Sequence, residues 1–249
     1  MNIKELEKLS LFTNENLESI EKLPIQGFCN INYKLTTNKA NYLIRVFKDN
    51  SSVNISRDFE FFIQKKASQI NIASKPLYMN KSFMITEFLK GEHKETLKKT
   101  ELKNLLKTIK KLHKIKVNQR PYKIEKDLSN YKKILKDKES KTTILETKKI
   151  LKKIKRYDNY LVTTHHDLNP KNIIFFNSKI RFIDWEYAGV NSVFFDLATV
   201  CVEFGVEKKL LKYVLKSYFK KVKKEYKFLL TNYIKIYTNI CKLWFKSLQ

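Results

Sequence analysis

The stretch Thr164–Asn172, THHDLNPKN, is the feature that most constrains this chain. It places two histidines, one aspartate and two asparagines within nine residues, between segments with the pattern of β-strands. Unpaired polar groups are costly to bury, so this cluster cannot serve as core filling. The sequence therefore predicts a functional loop between strands.

The charge of the chain bears on its partners. The formal net charge is +26, which can indicate a nucleic-acid ligand because lysines neutralise phosphates. Only five of the 51 basic residues are arginine, however, and base recognition favours the arginine fork. The composition therefore argues against nucleic acid as a partner. Residues 157–207, which contain the loop, hold 3 basic and 7 acidic residues, so a metal ion or a cationic substrate is expected there.

Cysteines and apolar runs indicate the compartment. Cys29, Cys201 and Cys241 are widely spaced and show no metal or disulfide pattern. The N-terminus is too charged for a signal peptide, and the longest apolar run is interrupted by Asp196 and Glu203. These features predict a cytoplasmic protein without a transmembrane segment.

The apolar periodicity predicts a strand-rich first part and a helical remainder. The first part has a short helix over 14–22, a hairpin over 27–36 and 41–47, a helix over 56–70 with Phe59, Phe62, Ile63 and Ile70 on its apolar stripe, and a strand over 81–88. After Gly91, apolar residues recur at helical spacing from Leu102 to Leu112. Two helices are predicted within 125–155, short strands over 173–176 and 180–184, and two helices after about residue 207.

Two chemistries could use the polar loop. A zinc site is poorly supplied, because the chain has four histidines and no HExxH motif. Phosphoryl transfer needs an aspartate to accept an alcohol proton and oxygen ligands for magnesium. The spacing offers Asp167 as the base, with Asn172 and Asp184 as metal ligands. The residues favour phosphoryl transfer.

The ordered set HHDLNPKNIIF, FIDWEYAG and FFDLA resembles the choline/ethanolamine kinase family, especially its bacterial choline kinase branch, within the protein-kinase-like phosphotransferases. The resemblance implies an α+β, bilobal protein-kinase-like fold, with a small strand-rich N-lobe (1–90) that binds nucleotide and a mainly helical catalytic C-lobe (91–249). It implies transfer of phosphate from ATP, with Mg²⁺, to a small cationic alcohol, choline first. Asp167 would be the base, and His165 would brace the catalytic loop in preference to acid–base work.

The same resemblance assigns the nucleotide site. Arg45 would contact the phosphates, and the segment at Glu87 would meet the adenine through its backbone. The remaining nucleotide-site residues would be Gly27, Asn30, Asn32 and Glu60, with Glu60 as the ion-pair partner of Arg45. An ordinary surface ion pair is the alternative for Arg45 and Glu60. The loop has one glycine where relatives often have two.

The alcohol pocket is less defined. The resemblance suggests that the ammonium group is surrounded by Trp185, Glu186, Tyr187 and Trp244. Trp244 could equally pack in a helix interface, Glu203 could be a substrate contact or a helix residue, and Asp196 would anchor the catalytic loop. The open alternatives are ethanolamine, thiamine, an aminoglycoside or a sugar as acceptor, and a non-catalytic protein that binds nucleic acid or anionic lipid. The sequence also leaves a homodimer open.

Overall fold

The computed structural model describes residues 3–24, 26, 30–48, 56–157 and 159–248. The chain divides into two compact units. The first is Met1–Glu92 with Arg181–Glu186, and the second is His93–Ile180 with Tyr187–Gln249. The sequence placed the boundary at residue 90 and assigned 181–186 to the C-terminal lobe. In the structure that six-residue segment belongs to the first unit, because Phe182 donates a backbone hydrogen bond to the Ile72 carbonyl at 2.7 Å.

The first unit is built on a five-stranded antiparallel sheet. After a short helix α1 (Ile3–Leu6), the strands are β1 (Leu17–Lys22), β2 (Asn30–Thr37), β3 (Asn41–Phe47), β4 (Pro76–Met79) and β5 (Phe83–Glu87). Their order in the sheet is β1-β2-β3-β5-β4. The predicted β2–β3 hairpin is confirmed over its described residues, and its register pairs Asn32 with Arg45. Leu35, Ile44 and Ile85 from three adjacent strands are fully buried in its core.

Two predictions for this unit were wrong. Residues 14–22 do not form a helix, because Leu17–Lys22 pairs with β2 as an edge strand. Their helix-forming residues are overridden by this tertiary pairing, since intrinsic propensity is a weak determinant. Strand β4 was missed because it has only four residues and begins with Pro76, which fits the edge of a sheet.

Helix α2 (Arg57–Gln69) is capped by Ser56, whose hydroxyl accepts a hydrogen bond from the Phe59 backbone N–H. The predicted apolar stripe is only partly correct, since Ile63 is buried but Phe62 and Ile70 are 44% and 39% exposed. The buried face instead carries Glu60 and Gln64 beside Ile63 and Ala67. Buried polar residues on a helix need partners, so this face is more than a packing surface.

The second unit is mainly helical. Its helices are α3 (Lys99–Leu112), α4 (Ile124–Ile134), α5 (Lys138–Ile154), α6 (Val193–Glu203), α7 (Leu211–Tyr218) and α8 (Lys224–Ser247). The helices predicted from residue 102, within 125–155 and after residue 207 are confirmed. Helix α6 is the centre of the unit, with every residue from Val193 to Cys201 buried. Within the described part of the chain, no helix combines the length and apolarity needed to cross a membrane.

Short strands hold the polar loop. Strand β6 (Leu161–Thr164) precedes the loop and pairs antiparallel with β9 (Gly189–Ser192), which the sequence did not predict. Strands β7 (Ile173–Phe176) and β8 (Lys179–Phe182) follow as the predicted hairpin. Its turn residues Asn177 and Ser178 have φ of 45° and 62°, the conformation that suits a tight hairpin. The loop therefore leaves one strand and enters another.

Candidate active site

The loop between β6 and β7 is anchored by Asp196 on α6. This carboxylate is fully buried, and it accepts hydrogen bonds from the backbone N–H groups of His165 and His166, both at 2.9 Å. Burial alone would raise the pKa of Asp196. The hydrogen bond and charge of His113, with the backbone donors, hold that pKa below its ordinary value. Asp196 is therefore ionised and holds the loop by two backbone hydrogen bonds, as its predicted structural role requires.

Asp196 is supported in turn by a second buried layer that the sequence did not reveal. His113, which follows α3, approaches Asp196 Oδ2 with Nε2 at 3.0 Å, and its Nδ1 lies 2.7 Å from the Tyr218 hydroxyl. Burial, then the charge of Asp196, raises the pKa of Tyr218, so its hydroxyl stays protonated. Tyr218 can thus donate to His113, which donates to Asp196. The sequence had assigned His113 no part in the site, and these two buried hydrogen bonds are what assign it one.

Asp167 is the half-buried carboxylate presented by this loop. Its Oδ1 accepts from Asn169 Nδ2 at 2.9 Å, and its Oδ2 accepts from Asn172 Nδ2 at 2.7 Å. Asn169 is oriented because its own Oδ1 accepts the Lys171 backbone N–H at 2.9 Å. Asn172 Nδ2 also donates to the Asp167 carbonyl at 3.0 Å. Two oriented amides therefore fix both carboxylate oxygens of Asp167.

Both histidines of the loop are buried. His165 has no exposed surface, and its predicted role of bracing the loop stays a prediction. His166 adopts a φ of 71° and its Nδ1 lies 2.7 Å from the Tyr187 carbonyl. Burial lowers the pKa of His166, so the imidazole is neutral and can donate through Nδ1. A Cβ on Gly189 would lie 3.2 Å from the His166 ring, which explains the glycine.

A second carboxylate of the second unit, that of Glu203, acts on the same tyrosine as Asp167. Glu203, at the end of α6, accepts a hydrogen bond from the Tyr237 hydroxyl at 2.8 Å. Burial and the charges of Cys241, Glu203 and Asp167 raise the pKa of Tyr237, and burial raises that of Cys241 to about 11. Both groups are therefore neutral beside two carboxylates. Seven residues, two helical turns, separate Glu203 from Asp196, a spacing that could have placed both on one helix face.

Trp244 lies further along α8 and is only partly buried. Its ring meets that of Phe245 edge-on, with centroids 5.0 Å apart, and Phe245 is 61% exposed. This aromatic pair therefore stands at the surface of the helix and is not part of a sealed core.

Asp127 on α4 is a partly buried carboxylate, and its burial predicts an effect on stability that can be measured. Burial raises its pKa from 3.8 to about 6. Between these values the folded protein binds a proton here that the unfolded chain does not, so stability falls as pH rises through this window. Asp127→Asn removes the cost of ionisation. We expect the variant to be more stable than the wild type at pH 7 by about 1 kcal/mol, after discounting for solvent exposure.

Thermal unfolding at pH 3.8, 5 and 7.5 tests this expectation at Asp127. The gain should be absent at the lowest pH and complete at the highest. Glu125→Gln is the matched control, because it removes a charge from the same first turn of α4 at an exposed position. A gain from Glu125→Gln equal to that from Asp127→Asn would show that burial is not the cause.

In the first unit, Arg45 is the centre of a buried ion cluster. Its Nη1 bonds Glu60 Oε1, its Nη2 bonds Asp184 Oδ1, and Glu186 Oε2 lies 3.8 Å from Nη2. Burial acts to lower the pKa of Arg45, but the three carboxylates outweigh it and raise that pKa. The predicted Arg45–Glu60 pair therefore exists, and both residues are at most 5% exposed, so it is not a surface ion pair.

Three of the residues predicted to contact a ligand have partners within the first unit. Trp185 is completely buried and its Nε1 donates to the Phe182 carbonyl at 3.1 Å, so it lies in the core and not at an open pocket. Glu186 accepts from Arg57 at 3.1 Å and from Asn30 Nδ2 at 3.0 Å. Burial and the charge of Asp184 raise the pKa of Glu186. Asn30 and Glu186 are thus parts of the ion cluster.

Three further residues were predicted to contact the nucleotide: Gly27, Asn32 and Glu87. Gly27 lies outside the described residues. Asn32 Oδ1 is buried and has no hydrogen-bond partner in the described part of the chain. The backbone N–H of Glu87 donates to the Lys75 carbonyl at 2.9 Å, and its carbonyl accepts from the Thr86 hydroxyl at 3.2 Å, so a backbone contact with adenine would use the second lone pair of that carbonyl.

No group of three or more His, Cys, Asp or Glu side chains that could hold a metal occurs within the described ranges. A site formed by protein side chains alone, such as structural zinc, therefore has no candidate among these residues. Magnesium in kinases takes few protein ligands and completes its shell from phosphate and water.

The sheet of the first unit and the anchored loop of the second define the fold class of protein-kinase-like phosphotransferases. The model of the choline/ethanolamine kinase family matches residues 23–246. The chain belongs to this family of small-molecule kinases, which confirms the resemblance and the predicted fold class.

The chain is similar to known relatives at low sequence identity. The chain is 24% identical to protein LicA of Haemophilus influenzae over 227 residues, which cover 84% of this chain and 66% of that relative. The crystal structure of choline kinase LicA from Streptococcus pneumoniae superposes with a TM-score of 0.83 at 19% identity, covering 99% of this chain and 89% of that one. LicA in complex with AMP gives a TM-score of 0.80 at 19% identity, covering 98% and 88%. These likenesses show the fold.

Proposed function

We propose that this protein transfers the γ-phosphoryl group of ATP to the hydroxyl group of a small cationic alcohol, with choline as the first candidate. The observation that carries the proposal is the Asp167 carboxylate, whose two oxygens are held by Asn169 and Asn172 at 2.9 and 2.7 Å on a loop anchored by Asp196. Phosphoryl transfer is catalysed mainly by positioning and by charge, and a fixed carboxylate at the nucleophile meets that need.

In this proposal Asp167 accepts the proton of the attacking alcohol. A general base must be within hydrogen-bond reach of that proton and hold its geometry. The paired amides of Asn169 and Asn172 restrict the rotation of the Asp167 side chain, while its partial exposure leaves it open to an alcohol. His165 would act only on the position of the loop.

Asn172 and Asp184 would be the magnesium ligands. The nitrogen of the Asn172 amide is engaged by Asp167, so its oxygen is the atom available to a cation. The Asp184 side chain is 27% exposed, the most open of the carboxylates around Arg45. Both donors are hard oxygens, which fit Mg²⁺. When bound with ATP, the ion would neutralise charge on the β- and γ-phosphates.

Arg45 would hold the nucleotide phosphates, supported by Glu60. A guanidinium is suited to phosphate because it presents two parallel donors. A neighbour of the same fold, LicA, is described in complex with AMP. Asn32, with its buried and unpartnered Oδ1, and the carbonyl of Glu87 are further proposed contacts of the nucleotide.

The acceptor would be recognised on the second unit. Glu203 supplies a carboxylate that accepts a hydrogen bond from Tyr237, and the charges of Glu203 and Asp167 both raise the pKa of this tyrosine. Aromatic faces attract a quaternary ammonium by about 0.5–2 kcal/mol each. Tyr187 and Trp244, both partly exposed, remain the proposed aromatic contacts. A carboxylate with aromatic rings favours a cation over a sugar.

The test is ADP formation from Mg-ATP with choline, ethanolamine, thiamine, an aminoglycoside, a sugar alcohol and no acceptor. We expect choline-dependent turnover in the range of about 1–100 s⁻¹. Turnover with another acceptor would keep the reaction and reject choline. Absence of turnover with every acceptor, in a preparation that binds ATP, would contradict the proposed reaction.

A further inference from the structure

Arg57 is a second arginine at the cluster around Arg45, and the proposed reaction gives it no role. It is the first residue of α2, and its side chain is 21% exposed. Its Nη1 lies 2.7 Å from Glu60 Oε2 and 3.1 Å from Glu186 Oε2. Arg57 therefore bonds two of the three carboxylates that surround Arg45.

The position of Arg57 is fixed from other sides as well. Its Nη2 donates to Asn30 Oδ1 at 3.2 Å, and its guanidinium lies over the Phe47 ring at 4.2 Å from the centroid. Asn30 in turn donates through Nδ2 to Glu186 Oε2 at 3.0 Å. A guanidinium with bonds in its plane and a ring against its face is held in one orientation. This is a built contact and not a mobile surface side chain.

The two arginines divide the carboxylates between them. Arg45 takes Glu60 Oε1 and Arg57 takes Glu60 Oε2, so Glu60 is held between two guanidinium groups. The cluster holds three carboxylates and two guanidinium groups when all are ionised, a net charge of −1. Loss of Arg57 would leave the three carboxylates around Arg45 alone, with a net charge of −2.

We infer that Arg57 is a positioning residue for the nucleotide phosphates, acting through Arg45. By holding Glu60 and Glu186, it fixes the carboxylates behind Arg45 and offsets one negative charge beside the place where phosphate would bind. Arg45 Nη2 lies near both Asp184 and Glu186. Because Arg57 bonds Glu186, this nitrogen can exchange Asp184 for a phosphate oxygen while Glu186 stays bonded to Arg57. This inference rests on the proposed function, because it assumes that Arg45 meets the nucleotide.

The experiment measures binding of ADP by calorimetry, first without magnesium, so that the effect of charge on the phosphates is isolated, and then with it. We expect Arg57→Met to weaken magnesium-free ADP binding on the order of tenfold, since it adds one net negative charge near the anion. Lys65→Met is the matched control, because it removes a positive charge from an exposed position of the same helix. The control should bind ADP within about twofold of the wild type.

Two further variants separate charge from structure. Glu186→Gln should not weaken magnesium-free ADP binding, and the double variant Arg57→Met/Glu186→Gln, which restores the net charge of −1, should recover most of the loss. Arg57→Lys should recover part of it, because lysine keeps the charge but lacks the fork. In the kinase assay, Arg57→Met should raise the KM for ATP with little change in the KM for the acceptor.

Different results overturn different conclusions. If the wild type binds ADP and Arg57→Met binds it equally well, the positioning role is wrong and the proposed reaction stands. The role also fails if the double variant is as weak as the single one, or if the acceptor KM rises as much as the KM for ATP. If Arg57→Met does not fold, comparison of the double variant with Glu186→Gln decides, and equal ADP affinity overturns the role. A wild type that binds no ADP overturns the proposed function with it.

Discussion

Asp167→Asn is expected to lower kcat by about 10²–10⁴-fold, the usual contribution of a positioned general base. Asparagine has the size and shape of aspartate but cannot accept the alcohol proton. Its amide nitrogen would also face one of the donors, Asn169 or Asn172, that now bond the carboxylate at 2.9 and 2.7 Å. Both effects act on the chemical step, so single-turnover measurements should show the loss in the phosphoryl-transfer phase.

The fold should survive this change, because Asp167 is only partly buried and its loop is anchored through Asp196. We expect the melting temperature and the affinity for Mg-ATP to remain close to those of the wild type. Asn169→Ser serves as the control: it removes one donor to Asp167 but keeps the base, so its effect on kcat should be much smaller. Wild-type turnover by Asp167→Asn would disprove the role of this residue.

The parts of the site that could be predicted from the sequence are those confined to one short segment. Asp167, Asn172 and Asp184 belong to motifs whose order along the chain is typical of one chemistry, and their roles stay predictions. Arg45 and Glu60 could be paired because a strand and the helix after it carry them 15 residues apart. These predictions needed only local spacing and a resemblance.

The parts that could not be predicted depend on contacts between distant segments. His113 and Tyr218 are 105 residues apart in sequence but bond at 2.7 Å. Arg57 and Glu186 are separated by 129 residues. A single histidine or arginine carries no sign of such a partner. Trp185 was assigned to a pocket because tryptophan suits a cation, whereas its indole is buried and bonds the Phe182 carbonyl.

Asp196→Asn is expected to have the largest effect on stability. An asparagine oxygen can replace one acceptor of Asp196, but its NH₂ group would face a backbone N–H of His165 or His166, or His113 Nε2. Removing one partner of a buried charged network costs about 3–5 kcal/mol. For a chain of this size that corresponds to a fall of roughly 10 °C in melting temperature. Turnover should fall too, since the loop that holds Asp167 loses its anchor.

Tyr218→Phe is the graded control for this network. It removes only the outermost hydrogen bond, to His113, and leaves both backbone bonds to Asp196 in place. Its cost should be about 1 kcal/mol, the usual value of one hydrogen bond. Equal melting temperatures for Asp196→Asn and Tyr218→Phe would mean that Asp196 is not the anchor of the loop.

Asp196 and Asp127 should be compared directly, because the same change, Asp→Asn, is expected to change the melting temperature in opposite directions at the two positions. The pKa of Asp196 is lowered, so its ionised form stabilises the fold above pH 3.8, the ordinary value, and this contribution is lost as pH falls further. The pKa of Asp127 is raised to about 6, so its ionised form destabilises the fold at neutral pH. At pH 7, Asp→Asn should therefore lower the melting temperature at residue 196 and raise it at residue 127. Burial alone would give both variants the same sign, so the difference between them measures what the hydrogen bonds to Asp196 contribute.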